Sequence, residues 1–248
     1  MIALWMLAAV AWAQPLRMQH VANAGVLLTC GEDVVAVDAF FREGVEGYQT
    51  APVALREEME AGRGIYGGIR VILATHAHRD HFDAGAVARH LRSNARAVFA
   101  GTGQLANAVR GAGGEKVDTV TWPAERRWGG VRVRFLKLPH NAPHRDTVEN
   151  SALVIAMCGE TLLFTGDADM TMADFAKLGL ETGTVTRLFA PWWMMTGRSG
   201  REVIDTLLRP KALWALHGDV ENAERWQGQV RTNYPRAVIG FDNRAAIQ

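Results

Sequence analysis

The sequence predicts an α/β protein with two similar β-rich halves, their sheets face to face and helices covering both outer sides. Three observations carry this. After residue 14, short apolar and β-branched runs alternate with helical patterns. Two hairpin patterns resemble each other: Asn23, Leu27, Cys30-Gly31-Glu32 and Asp38 in the first, Asn150, Val154, Cys158-Gly159-Glu160 and Asp167 in the second. No linker or low-complexity stretch separates the halves, so residues 14–248 read as one domain. The chain has 248 residues, 48% hydrophobic and 21% charged, which suits a large core and excludes a disordered tail, a collagen or a small disulfide scaffold. With 27 basic against 26 acidic residues and no basic block, nucleic acid is not an expected partner.

Met1 to Ala13 are all apolar, and spanning a bilayer takes about 17–25 apolar residues. The run is too short for a membrane anchor. Ala11-Trp12-Ala13 has the small-x-small form of a signal-peptidase site, so residues 1–13 read as a signal peptide and the protein as periplasmic or secreted. Its leading end carries no Lys or Arg, and the alternative is a buried first strand.

Val26-Leu27-Leu28 and Val34 to Val37 flank the turn Cys30-Gly31-Glu32-Asp33 and predict a hairpin. Pro52 to Ala61 predicts a helix, ended by the glycines of Gly62 to Gly68. Arg70 to Thr75 is a β-branched strand. Asp83 is an N-cap for a helix with Ala84, Val87, Ala88 and Leu91 on one face, and His90 is placed on its solvent side. A strand at Ala97 to Phe99 and a helix near Gln104 to Val109 follow. Val131 to Leu138 alternates as a half-exposed strand. Ser151 to Met157 and Thr161 to Thr165 form the second hairpin, and Arg187 to Ala190 and Ala212 to Leu216 are strands. Helices near Arg201 to Leu208 and Val220 to Val230 cover them. Cys30 and Cys158 lie in turns of different hairpins, which predicts Cα atoms beyond the roughly 7 Å limit for a disulfide and two unpaired thiols.

The chemistry concentrates in Thr75-His76-Ala77-His78-Arg79-Asp80-His81, after a strand and before a helix. Positions 76 and 78 share a strand face, and the following turn can return 80 and 81 to the same point. Imidazoles and a carboxylate are ligands for zinc and similar divalent ions. A lone His is more often structural, as His20, His90 and His217 taken singly would be.

The pattern His-x-His-x-Asp-His resembles the metallo-β-lactamase-fold superfamily, over nearly all of residues 16–240. The resemblance implies an αββα four-layer sandwich with a metal site at the sheet edges. It implies that His76, His78 and His140 hold a first metal, that Asp80, His81 and His217 hold a second, and that Asp167, in Thr-Gly-Asp, bridges them. His144 competes with His140, which stands nearer its strand end. Asp38 could orient His76 or His78 from behind. Asp167 stands where zinc β-lactamases of the best-known class carry Cys, which argues against penicillin hydrolysis. The strings from Leu138-Pro139-His140 to Asn150, and Leu213 to His217, are similar to the branch containing sugar-lactone hydrolases.

The implied function is a metallo-hydrolase of small molecules. Two Zn2+ per chain, with Mn2+ or Fe2+ as alternatives, would activate a hydroxide to cleave an ester, lactone or phosphodiester bond. Asp80 is the candidate catalytic residue, orienting the hydroxide and passing a proton to the leaving group. The alternatives are an iron oxidoreductase of the same fold, of persulfide dioxygenase type, and a metal-binding protein without turnover. Trp192 and Trp193, in Pro191-Trp192-Trp193-Met194-Met195 after a strand, are candidate substrate-binding residues; packing on Phe40-Phe41 is the competing reading.

Overall fold

The computed structural model describes residues 14–240 and the strand Ala246–Ile247, so the segment read as a signal peptide lies outside the described residues. The first half runs β1 (Arg17–Ala22), β2 (Gly25–Cys30), β3 (Asp33–Val37), α1 (Val53–Glu60), β4 (Ile69–Leu73), α2 (Ala84–Ser93), β5 (Val98–Gly101), α3 (Gly103–Gly111) and β6 (Val117–Thr119). The second runs β7 (Ala124–Trp128), β8 (Val131–Lys137), β9 (Ser151–Met157), β10 (Glu160–Phe164), α4 (Met172–Ala176), β11 (Arg187–Pro191), α5 (Trp192–Thr196) and α6 (Arg198–Glu202). A π-helical stretch (Val203–Leu208), β12 (Ala212–Leu216), α7 (Ala223–Asn233), β13 (Val238–Ile239) and β14 (Ala246–Ile247) complete it.

Two sheets of seven strands each form among the described residues, in the orders β14-β1-β2-β3-β4-β5-β6 and β13-β12-β11-β10-β9-β8-β7. Each joins an antiparallel portion to a parallel one: β3, β4, β5 and β6 are parallel, as are β10, β11, β12 and β13. The expected αββα sandwich is the fold observed.

Strand periodicity builds the layers. From β2, β3 and β4, Val26, Leu28, Val35, Val37, Val71 and Leu73 face the second sheet. They meet Val133, Phe135, Leu153, Ile155, Leu162 and Phe164. The alternate residues Leu27, Ala36 and Ile72 turn outward onto Val87 and Leu91 of α2 and Leu105 and Val109 of α3. On the other side Val154, Leu163, Leu188 and Ala215 pack against Phe175, Met194, Val203, Trp226 and Val230. Each such buried Val, Leu or Phe contributes about 1.5–3 kcal/mol, so three apolar layers hold the strand ends in fixed register. Asp83 caps α2, its carboxylate accepting from the Ala86 amide at 2.6 Å.

Two expectations are corrected. His90 is fully buried, donating from Nδ1 to the Met59 carbonyl at 2.6 Å and taking Asn94 Nδ2 at 3.1 Å on Nε2. Helical position alone could not show that α1 would cover that side of α2. Cys30 and Cys158 form a disulfide with a Cα–Cα distance of 5.9 Å. The two hairpins occupy matching places in sheets stacked face to face, so their turns meet across the interface, and both cysteines pack on the inter-sheet core.

Candidate metal centre

Every candidate ligand follows a strand whose end lies on one edge of the sandwich. His76, His78, Asp80 and His81 follow β4; His140 follows β8; Asp167 follows β10; His217 follows β12. In the second sheet β8 runs antiparallel to β9 and β9 to β10, so β8, β10, β11 and β12 all end on the same side. The disulfide joins the opposite ends, where β3 and β10 begin.

The seven residues gather into two groups: His76, His78, His140 and Asp167, and Asp80, His81 and His217, the ligand atoms of each group within 4.8 Å of one another. Asp167 joins them. Its Oδ2 lies 3.1 Å from His217 Nε2 and 4.0 Å from His76 Nε2, and its Oδ1 lies 3.4 Å from His81 Nε2. Asp80 Oδ2 is 3.1 Å from the same His217 nitrogen. The Nε2 atoms of His76, His81 and His140 and the Oδ1 of Asp167 are buried without a hydrogen-bond partner. Polar atoms stranded like this cost free energy unless something binds them. Inward-facing imidazoles with shared carboxylates are a donor set for divalent ions, and the residues present fit two.

The surrounding contacts hold the rings in place. Thr75 Oγ1 lies 3.0 Å from His76 Nδ1, and His140 Nδ1 donates to the Asn141 carbonyl at 3.0 Å. Asp38 touches His81 directly, its Oδ2 3.0 Å from Nδ1, and reaches His76, one of the two the sequence suggested, only through the Thr75 hydroxyl. Asp38 also accepts from the Thr75 amide and hydroxyl, both at 2.7 Å, so it fixes the start of the metal loop as well. Such partners set the tautomer and leave Nε2 for the metal. Asn23 donates to the carboxylate and the carbonyl of Asp80, both at 3.1 Å. In Thr-Gly-Asp the glycine is obligatory: Gly166 has φ +55°, and a Cβ there would lie 2.2 Å from Asn150 Oδ1.

Charge is distributed in the same sense. Burial, with His81 nearby, holds His76 well below the usual imidazole range. Burial also disfavours the imidazolium of His81, but Asp167 and Asp38 outweigh it and raise that group well above its usual range. Burial is likewise overcome at His217, raised to about 9 by Asp167 and Asp80. Asp80 is held at about 2, the His217 hydrogen bond and His81 outweighing burial. The carboxylates that favour a proton on His81 and His217 equally favour a bound cation, so metal and protons compete for those nitrogens.

His144 stands outside both groups, exposed, its ring centre 4.9 Å from that of His78 and 5.7 Å from that of His140. His140→Ala is therefore expected to lower metal content and His144→Ala to leave it unchanged. Metal per chain after dialysis decides, and the reverse result would exchange their roles.

The centre opens into a cleft of about 620 Å³ lined by Val45, Tyr48, Arg79, Asn141, His144 and Trp193 together with the metal-loop residues His78 and Asp80. The two candidate tryptophans part company. Trp193 faces the cleft with its ring centre 5.1 Å from that of His217. Trp192 stacks on Trp226 at 6.1 Å, in the layer beneath the second sheet and apart from the layer holding Phe40 and Phe41. Both sit on α5, a short helix that starts where β11 ends. Trp193→Ala should raise KM at constant metal content, whereas Trp192→Ala should lower Tm and leave the kinetics of the folded enzyme alone. Equal kinetic effects would show that both reach the substrate. Sequence reasoning missed Tyr48, whose ring centre is 4.5 Å from that of His217 and which no motif marks, and the role of Asn23, which the repeated hairpin pattern singled out without showing its contact with Asp80.

Residues 34–221 match the family model described as the Beta-lactamase superfamily domain, and the chain belongs to that family. Its fold is the metallo-β-lactamase sandwich. Similar solved structures include the metallo-beta-lactamase fold protein YhfI from Bacillus subtilis, at 15% identity and TM-score 0.62, covering 91% of this chain and 96% of that one. The isothiocyanate hydrolase from Delia radicum gut bacteria aligns at 14% identity and TM-score 0.65, covering 91% and 96%. CmlA, a diiron β-hydroxylase from Streptomyces venezuelae, aligns at 15% identity and TM-score 0.58, covering 92% of this chain and 48% of that one. At these identities the likeness is one of fold. A search of curated proteins finds no match.

Proposed function

We propose that the protein is a dinuclear metal-dependent hydrolase, with zinc the first choice of metal, that cleaves an ester, lactone or phosphodiester bond in a small molecule. The observation that carries this is the convergence of seven His and Asp side chains, several with buried and unpartnered ligand atoms, at the floor of an open cleft. His76, His78 and His140 would hold one ion, Asp80, His81 and His217 the other, and Asp167 both. Ions bound there would supply Lewis acidity and a water acidified toward neutrality.

The chain's own residues do the rest. Asp80, steadied by Asn23, presents a carboxylate at the cleft that can orient the attacking water and carry a proton to the leaving group. Trp193 and Tyr48 give the cleft an apolar wall on which a substrate can pack.

Metal analysis of protein purified without added metal, followed by assay on lactones, esters, phosphodiesters and β-lactams, tests this reading. Two zinc per chain with turnover of one class is expected. Iron with visible absorbance and no hydrolysis would favour an oxidoreductase, a chemistry that the diiron β-hydroxylase carries on the same fold. Asp80→Asn should lower kcat by about 10² or more, the range for a lost general base. Near wild-type turnover with full metal would remove Asp80 from the mechanism.

We also propose that the protein works outside the reducing cytoplasm. The Cys30–Cys158 bond supports this, since disulfides persist mainly in oxidising compartments. An exported form beginning at Gln14, with a mass lower by two hydrogens than the reduced chain, is the expected product. A cytosolic, reduced form would count against it.

A further inference from the structure

Arg79 stands between two candidate metal ligands, His78 and Asp80, and lines the cleft with its side chain exposed. Several arginines elsewhere in the fold hold carboxylates: Arg42 and Arg89 share Glu60, Arg145 bridges Asp169 and Asp174, and Arg187 holds Glu160. Arg79 has no such partner among the described residues. The carboxylate beside it in sequence, Asp80, is committed to Asn23 and His217. Placing a guanidinium next to a site for two divalent cations is unfavourable by Coulomb's law, and the carboxylates of the cleft, Asp80 and Asp167, are directed at His81 and His217 and form no ion pair with it. An anion in the cleft would. The guanidinium's planar fork suits a carboxylate or a phosphate, which it can bind through two parallel hydrogen bonds. The same cleft carries the apolar surfaces of Val45, Tyr48 and Trp193.

We propose that this cleft selects substrates that carry an anionic group, carboxylate or phosphate, beside an apolar portion, with Arg79 pairing with the anion and Tyr48 and Trp193 packing on the apolar part. This rests on the hydrolase reading for the reaction but not for the binding. It narrows the substrate to one charged at the working pH, with the charged group set apart from the bond that is cleaved.

The test is equilibrium binding to the metal-loaded protein by calorimetry, with three probes of similar size: phenylacetate, phenyl phosphate and the neutral phenylacetamide. Wild-type protein should bind at least one anion at least tenfold more tightly than the amide. Arg79→Gln should shrink that ratio at least fivefold and Arg79→Glu should abolish it, both with wild-type metal content and Tm. Arg79→Lys should keep part of it. The anion whose ratio responds more strongly identifies the preferred group. An anion preference undiminished in Arg79→Gln would mean that the metals alone attract the anion and would overturn the proposal, as would equal binding of all three probes by wild type. Turnover separates the two readings: if no ester, lactone or phosphodiester is cleaved while the Arg79 contrast holds, the hydrolase reading fails and the anion site stands.

Discussion

Asp167→Ala is expected to lose hydrolysis and metal retention together. Asp167 is the residue shared between the two groups of ligands, within 3.1–4.0 Å of His217, His81 and His76 through its two oxygens. Removing it leaves five imidazoles, four of them buried, with one carboxylate, Asp80, nearby. A divalent ion in that setting loses both a ligand and half of the compensating negative charge. Metal content should fall from two per chain to one or fewer, and kcat/KM by about 10³, the scale on which removing one preorganised electrostatic element acts. Asp167→Asn keeps the volume and one oxygen but not the charge, and should fall between. Metal analysis and kinetics on the same preparation check this. Two metals per chain and more than a tenth of wild-type kcat/KM in Asp167→Ala would remove the bridging role.

Replacing Cys30 with Ser should cause the largest loss of stability of any change considered, and leave the chemistry intact. The bond closes a sequence separation of 128 residues, tying the first hairpin to the second. Loss of unfolded-chain freedom on that scale amounts to about 5 kcal/mol, and removal of native disulfides costs about 2–5 kcal/mol. A chain of this size should then melt roughly 5–15 °C lower. Cys30 sits where β3 begins, whereas Asp38 and the metal loop lie past the far ends of β3 and β4, so the folded variant should keep wild-type kcat and metal content. Cys158→Ser and the double variant should melt at the same temperature as Cys30→Ser, because each breaks the same bond. Thermal melts with and without reductant measure the effect. A wild-type Tm unmoved by reductant, with the bond shown to be broken, would deny the staple.

Much of the centre was legible in sequence because its signals are local. His76, His78, Asp80 and His81 fall within six residues after a β-branched run. Asp167 follows an apolar run through a glycine that its backbone requires, with φ +55° at Gly166. Period-two alternation marked β8, β-branched or apolar runs marked β4, β10 and β12, and Asp83 marked the start of α2. Where signals were weak, so was the reading. β1, β7 and α4 carry no strong pattern of their own and are held by their neighbours. The Trp-rich stretch read as chain leaving a strand is a short helix, because Met194 and Met195 bury against the second sheet while Trp193 turns to the cleft.

The sequence alone determined the cluster from His76 to His81, most of the strands and helices on either side of it, and the likeness of the two halves, since these follow from residue type and from spacing along the chain, while His140, Asp167 and His217 were marked as ligands only by the family resemblance. Tertiary structure alone decided which distant residues meet. It paired Cys30 with Cys158 by stacking two equivalent hairpin turns. It buried His90 by laying α1 over α2, gave Asp38 a direct contact to His81 and one to His76 only through Thr75, and set His140 inside the ligand group and His144 outside. It brought Tyr48 to His217 and sent Trp192 and Trp193 to different surroundings. The physical reason is that these outcomes depend on the angle and register at which separate layers pack. Those are set by many buried contacts acting together, and no single segment encodes them.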